Sequence, residues 1–234
     1  MADHKLPSRS NTGEIADFLA KVRAIPATTQ VRRGRLVFAM DATASREATW
    51  ASAQRIHAAM FDETAKLGGL DVQLVWYRGM AEFHAGPWTS QADALVGQLK
   101  HVDCLGGETQ IAKVLRHVLA ETRVTRVNAC VFVGDCMEED VDALCRQAGE
   151  LGVLGVPLFL FHEGEDPVAA NAFRQMAKLS GGASVRFDAR SAASLRELLS
   201  AVAVFAAGGR QAMLDYGRAK GGAVLQITRQ LEGR

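Results

Sequence analysis

Residues 35–50 read RLVFAMDATASREATW. The first six, RLVFAM, form a continuous run with no polar alternation, as expected of a strand buried on both faces. At Asp41 the character changes. Asp41, Thr43 and Ser45 follow at every second position, separated only by Ala42 and Ala44. From residue 46 a helical pattern runs to 69, where Gly68 and Gly69 end it. A doubly buried strand that passes directly into a long helix is the opening unit of a parallel sheet.

The same unit recurs along the chain. DVQLVWY (71–77) reads as a strand, and residues around 80–84 as its antiparallel hairpin partner beyond Arg78 and Gly79. A short helix is expected over 90–100 with Ser90 as its N-cap, and a second over 109–122. RVNACVFVG (126–134) is a strand with no polar face, followed by a helix over 138–152. VPLFLF (156–161), a helix over 167–182, ASVRFD (183–188) and a helix over 191–207 complete the alternation. Pro167 opens its helix and glycines close it. Strands and helices in this order give an α/β fold. It is a doubly wound, mostly parallel central sheet, a three-layer sandwich with helices on both faces and one antiparallel edge strand.

Three parts are expected. Residues 1–32 form a polar segment with a short helix over 14–25 that Pro26 stops. Residues 33–208 form the domain, and residues 209–234 a C-terminal tail outside the alternation. The tail either folds back on the domain or serves as a docking arm ordered by a partner. Of the 234 residues, 48% are hydrophobic and 23% charged, and the formal net charge is +1. Such a balance gives no electrostatic case for nucleic acid or a membrane surface. No leader-like or membrane-spanning stretch is evident, so a cytoplasmic location is expected. Cys104, Cys130, Cys136 and Cys145 form no CxxC pair and read as reduced thiols, three of them buried, rather than as a disulfide or a zinc site.

In an open α/β sheet, ligands gather beyond the carboxyl ends of the strands. The first strand ends in Asp41, Thr43 and Ser45, and a later one in Asp135. The loop CLGGET (104–109) presents Thr109 after two glycines. These three loops can meet at one sheet edge, offering two carboxylates and three hydroxyls. All-oxygen donors suit a hard cation, magnesium before zinc. With hydroxyls bound directly and carboxylates partly through water, the ion would stay under-neutralised and attract an anionic ligand.

In these motifs the chain resembles the von Willebrand factor A (VWA) domains with a metal-ion-dependent adhesion site. The family pattern is a strand ending in DxSxS, a distant Thr in a Gly-rich loop, and an Asp closing a later strand. Asp41, Thr43, Ser45, Thr109 and Asp135 take those places, with Thr43 where Ser is usual. The resemblance covers about residues 33–208. It implies a non-enzymatic binding module whose magnesium or manganese ion completes its shell with a Glu or Asp of a protein partner. It also implies a setting of the kind intracellular members have, beside an AAA+ ATPase, in a chelatase-type complex or with stress-response proteins.

Blander and sharper readings compete. Thr43 or Ser45 could cap the following helix, Thr109 another, and Asp135 could be a turn residue. Glu138, Glu139 and Asp140 read as the solvated first turn of a helix, where the dipole favours acids. His57, His101, His117 and His162 read as surface or satisfied residues. The enzyme alternative is a haloacid-dehalogenase-like, magnesium-dependent phosphatase. Asp41 would be its nucleophile, Asp135, Glu139 and Asp140 its acidic motif, and Lys113 its phosphate-binding lysine. Against it, residue 43 is Thr, not the acid/base Asp of that family.

Overall fold

The computed structural model describes residues 33–48, 50, 70–187 and 192–232. The N-terminal segment, its helix over 14–25 and most of the helix over 46–69 lie outside the described residues. Strand β1 (Gly34–Asp41) is buried along nearly its whole length. It pairs in parallel with β2 (Leu70–Arg78) on one side and β4 (Ala129–Gly134) on the other. The sheet has six strands in the order β3-β2-β1-β4-β5-β6, with β3 at Glu82–Ala85, β5 at Leu158–Glu163 and β6 at Ala183–Phe187. Every pairing is parallel except β2 with β3, the expected antiparallel edge. The chain leaves β1 toward β2 and later returns to the opposite side of β1 as β4. The strand order therefore reverses between β1 and β4, which is where an open sheet leaves a crevice beyond its strand ends.

The alternation of side chains along β1 feeds two cores. Leu36, Phe38 and Met40 face α1 (Ala92–Leu99), α5 (Ala192–Lys220) and α6 (Val224–Glu232). Val37 and Ala39 face α2 (Ile111–Val124), α3 (Val141–Val153) and α4 (Pro167–Ser180). β4 and β5 are buried at every position, which explains their unbroken apolar runs. Among the described residues, no helix is long and apolar enough to cross a membrane.

Several local expectations change. Ser90 does not cap α1, whose N-cap is Gln91 with no side-chain bond; Thr89 Oγ1 instead accepts the Gln91 N–H at 3.1 Å. The helix expected from 138 begins at Val141, because Asp140 takes the N-cap and accepts the Ala143 N–H at 2.7 Å. Glu138 and Glu139 thus precede α3 and are free to reach elsewhere. Helix α4 ends as expected, at Gly181 with φ 78°, a left-handed turn that a side chain would strain. Only Cys130 is buried; Cys104, Cys136 and Cys145 are half-buried, because they sit at strand-end loops and on a helix flank rather than within the sheet.

Between residues 209 and 232 the chain is helical apart from a turn at 221–223. Helix α5 breaks at Gly209 (φ 76°, ψ −171°), two residues past the expected helix end, and then resumes. Met213, Val224, Ile227 and Leu231 lie in the same core cluster as β1. The segment folds back on the sheet because its apolar residues have a face to cover. Gln230 caps the outer edge of β6, where its Oε1 accepts the Ser184 N–H at 3.0 Å and its Nε2 donates to the Ser184 carbonyl at 2.8 Å.

Candidate metal centre

Asp41 is the last residue of β1 and is wholly buried. A carboxylate there needs partners, and it has them. Its Oδ1 accepts the Thr43 N–H at 2.7 Å, and its Oδ2 accepts the Tyr77 hydroxyl at 3.0 Å. Tyr77 lies opposite Asp41 in the β1–β2 register and is itself wholly buried. Burial raises the pKa of Asp41 above the ordinary carboxylate range. The hydrogen bonds from Thr43 and the charge of Arg46 oppose that rise, and Asp135 reinforces it. Burial and the neighbouring Asp41 push the Tyr77 phenol well upward, so Tyr77 stays a donor.

After Asp41 the chain enters a short 3-10 turn, Ala44–Arg46. Thr43 occupies its N-cap without making a side-chain capping bond. The Thr43 and Ser45 hydroxyls lie 3.1 Å apart instead. The glycine loop docks alongside, where the Leu105 N–H donates to the Ala42 carbonyl at 3.1 Å. Gly107 sits against the Gly79 backbone, where a Cβ would collide, so the close approach requires glycine. Thr109 does not cap α2. Its hydroxyl accepts the Glu138 N–H at 3.0 Å, and its own N–H donates to Glu138 Oε2 at 3.1 Å. Glu139 takes over the capping, accepting the Ile111 and Ala112 N–H groups at 2.6 and 2.8 Å. Burial raises the Glu139 pKa, and those two N–H groups oppose the rise.

Asp135 follows β4 directly. Its Oδ1 is buried and has no hydrogen-bond partner among the described residues. The side-chain ligand atoms of Asp41, Asp135 and Cys136 all lie within 4.8 Å of one another. Thr43, Ser45, Gly106, Gly107, Thr109, Cys136 and Glu138 line a cleft of about 230 Å³. Thr43, Ser45 and Thr109 therefore share one cleft, and Asp41 and Asp135 meet beside Cys136, which lines that cleft too, at the strand-order reversal. An orphaned carboxylate oxygen, a second carboxylate and three hydroxyls form a donor set that fits a hard divalent cation.

Three supports were not foreseen. Tyr77 looks like an ordinary core aromatic until β2 is known to lie beside β1. Arg46, 1% exposed, donates to the Asp41 carbonyl at 2.7 Å and to Glu163 Oε2 at 2.8 and 3.0 Å, which ties the ends of β1 and β5 together. His162, also 1% exposed, places Nε2 3.1 Å from the Asp135 carbonyl, so it is a core residue and not a surface one. The acidic set of the phosphatase reading disperses. Glu139 and Asp140 cap two different helices, and Lys113 Nζ donates to the Ala81 carbonyl at 3.1 Å and to Gln110 Oε1 at 2.7 Å.

No protein-family model and no curated protein matches the chain. Solved structures do. A von Willebrand factor type A structure from Catenulispora acidiphila is similar with a TM-score of 0.60 at 14% identity, over 75% of this chain and 43% of that one. An aerotolerance-related membrane protein from Bacteroides fragilis NCTC 9343 is similar with a TM-score of 0.56 at 16% identity, over 71% of this chain and 96% of that one. The vWF domain of the type V pili tip protein Mfa5 from Porphyromonas gingivalis gives 0.57 at 10% identity, over 73% and 95%. At such identities the likeness concerns the fold, and the fold is that of the VWA domains.

Proposed function

We propose that this chain is a divalent-metal-dependent protein-binding module. Asp41, Thr43, Ser45, Thr109 and Asp135 would hold magnesium or manganese, and a Glu or Asp side chain of a partner would complete the shell. The observation that carries this reading is that the three oxygen-bearing loops share one cleft, with Asp41 and a buried, unpartnered Asp135 Oδ1 beside Cys136 on its wall. The bound ion supplies positive charge and an open coordination position.

The chain's own residues prepare that position. Tyr77 and the Thr43 N–H fix both oxygens of Asp41. Glu138 holds Thr109 by a reciprocal pair of bonds. Glu163 pairs with Arg46, so the buried guanidinium does not present an uncompensated charge to an incoming cation. No catalytic step is assigned, because Glu139, Asp140 and Lys113, which the phosphatase reading also needs, are engaged elsewhere. An ATPase- or chelatase-type assembly in the cytoplasm, the setting implied by the sequence resemblance, is one source of such a carboxylate.

Affinity capture with and without a chelator, for the wild type and Asp41→Ala, tests the reading. The expected partner is retained by the wild type with magnesium and lost in both other conditions. A partner retained through both treatments would contradict metal-dependent recruitment. Magnesium-dependent turnover of an aryl phosphate that Asp41→Asn abolishes would restore the phosphatase reading.

A further inference from the structure

We infer that Glu138 is the chain's own occupant of the coordination position that a partner's carboxylate takes, so that a partner binds by displacing it. The inference rests on the metal-binding reading above and adds the regulation of that same site. Three acids follow β4 in a row, and the structure gives each a different task. Asp140 caps α3, and Glu139 commits both oxygens to the first N–H groups of α2. Glu138 is exposed and lines the cleft with Thr43, Ser45 and Thr109. Its Oε2 accepts the Thr109 N–H at 3.1 Å, which holds the carboxylate beside a residue whose hydroxyl is a proposed ligand.

That bond uses one oxygen of the two. An ionised carboxylate has about four lone-pair sites, so the other oxygen stays available to a cation. Hard oxygen donors of this kind are what magnesium and manganese take. Charge then limits how many acids the centre holds. Asp41 and Asp135 together balance a divalent ion, and one further carboxylate makes the site singly anionic. Another would set a second like charge against the first at close range. Glu138 and a partner's acid therefore exclude one another. A group tethered on the same chain competes at an effective concentration of about millimolar or more, so dissolved small acids displace it poorly. A partner that makes further contacts around the cleft displaces it well.

Water-proton relaxation of the manganese-loaded protein, titrated with acetate, tests this, because relaxivity reports the exchangeable water on the ion. Glu138→Gln keeps an oxygen to accept the Thr109 N–H and loses the anionic ligand. Calorimetry should show its manganese affinity falling ~10-fold, the least that loss of a group supporting a metal usually costs. Its relaxivity without acetate should rise, since water takes the carboxylate's place. Its acetate affinity should rise ~10-fold, the gain on removing a competitor that fills the position about nine-tenths of the time. Relaxivity and acetate affinity that stay at or below the wild-type values would confine Glu138 to holding Thr109, overturning the inference and leaving the metal-binding reading standing. Glu138→Asp keeps the charge with a shorter reach and should follow Glu138→Gln. An aspartate variant that behaves as the wild type assigns the effect to charge alone and also overturns the inference. Melting without metal checks that each variant is folded, and either variant suffices if the other is not. Acetate that alters the relaxivity of none of the three proteins overturns the inference too. Absence of manganese binding in all three would remove both readings.

Discussion

Tyr77 shows how a single buried hydroxyl sets up a charged site. Its O–H reaches Asp41 Oδ2 at 3.0 Å from the neighbouring strand, and both residues are wholly enclosed. Tyr77→Phe removes the donor and leaves a buried acceptor unpaired, a loss of about 1–3 kcal/mol. Chemical denaturation of the wild type and the variant without added metal should show a lower midpoint with an unchanged slope. The shared cleft of Thr43, Ser45 and Thr109 and the nearness of Asp41 to Asp135 were legible because these residues end strands, follow them closely or follow a glycine loop, and strand ends are where an α/β sheet keeps its ligands. Tyr77 was not, because a tyrosine in an apolar strand has the same sequence signature whether its hydroxyl faces a carboxylate or solvent. Arg46 and Glu163 are 117 positions apart in the chain, and no local pattern links them. Cys136 was misplaced by a similar limit, since exposure and neighbours are set by the fold rather than by spacing.

At the scale of elements, the start of α2 is held from outside. Glu139 accepts the N–H groups of Ile111 and Ala112, and Glu138 engages Thr109 from both sides. The loop after β4 therefore sets the position of the loop before α2, and through it Thr109. Glu139→Ala should cost about 0.5–2 kcal/mol, the usual value of an N-terminal cap, and speed amide exchange in the first turn of α2. Exchange that stays as slow as in the wild type would contradict the capping role. A run of acids ahead of a helical pattern invites a dipole reading for the helix that follows. Here Asp140 alone serves that helix, and its two predecessors serve one about 27 residues earlier. Element types were legible from apolar periodicity, whereas their ends depended on which distant side chain reached the free N–H groups.

For the whole molecule, the continuous apolar strands and alternating helices were enough to specify a parallel, doubly wound sheet with one antiparallel edge. The place of residues 209–232 was not, since an amphipathic tail reads alike as a docking arm or a covering layer. Met213, Val224, Ile227 and Leu231 lie in the core, each contributing about 1.5–3 kcal/mol of burial, together comparable with the stability of a typical domain. A chain truncated after Ala207 should lose its cooperative melting transition, and one that melts like the full chain would contradict the packing. The strand-order reversal between β1 and β4 brings Asp41 beside Asp135 and the cleft of Thr43, Ser45 and Thr109 next to them through Cys136, and cation binding there is the central claim. Titration calorimetry with magnesium and manganese, paired with thermal denaturation, tests it most directly. Saturable heat and a raised melting temperature are expected for the wild type, and both should vanish in Asp41→Ala. A wild type that gives neither heat nor stabilisation, behaving as Asp41→Ala does, would contradict it.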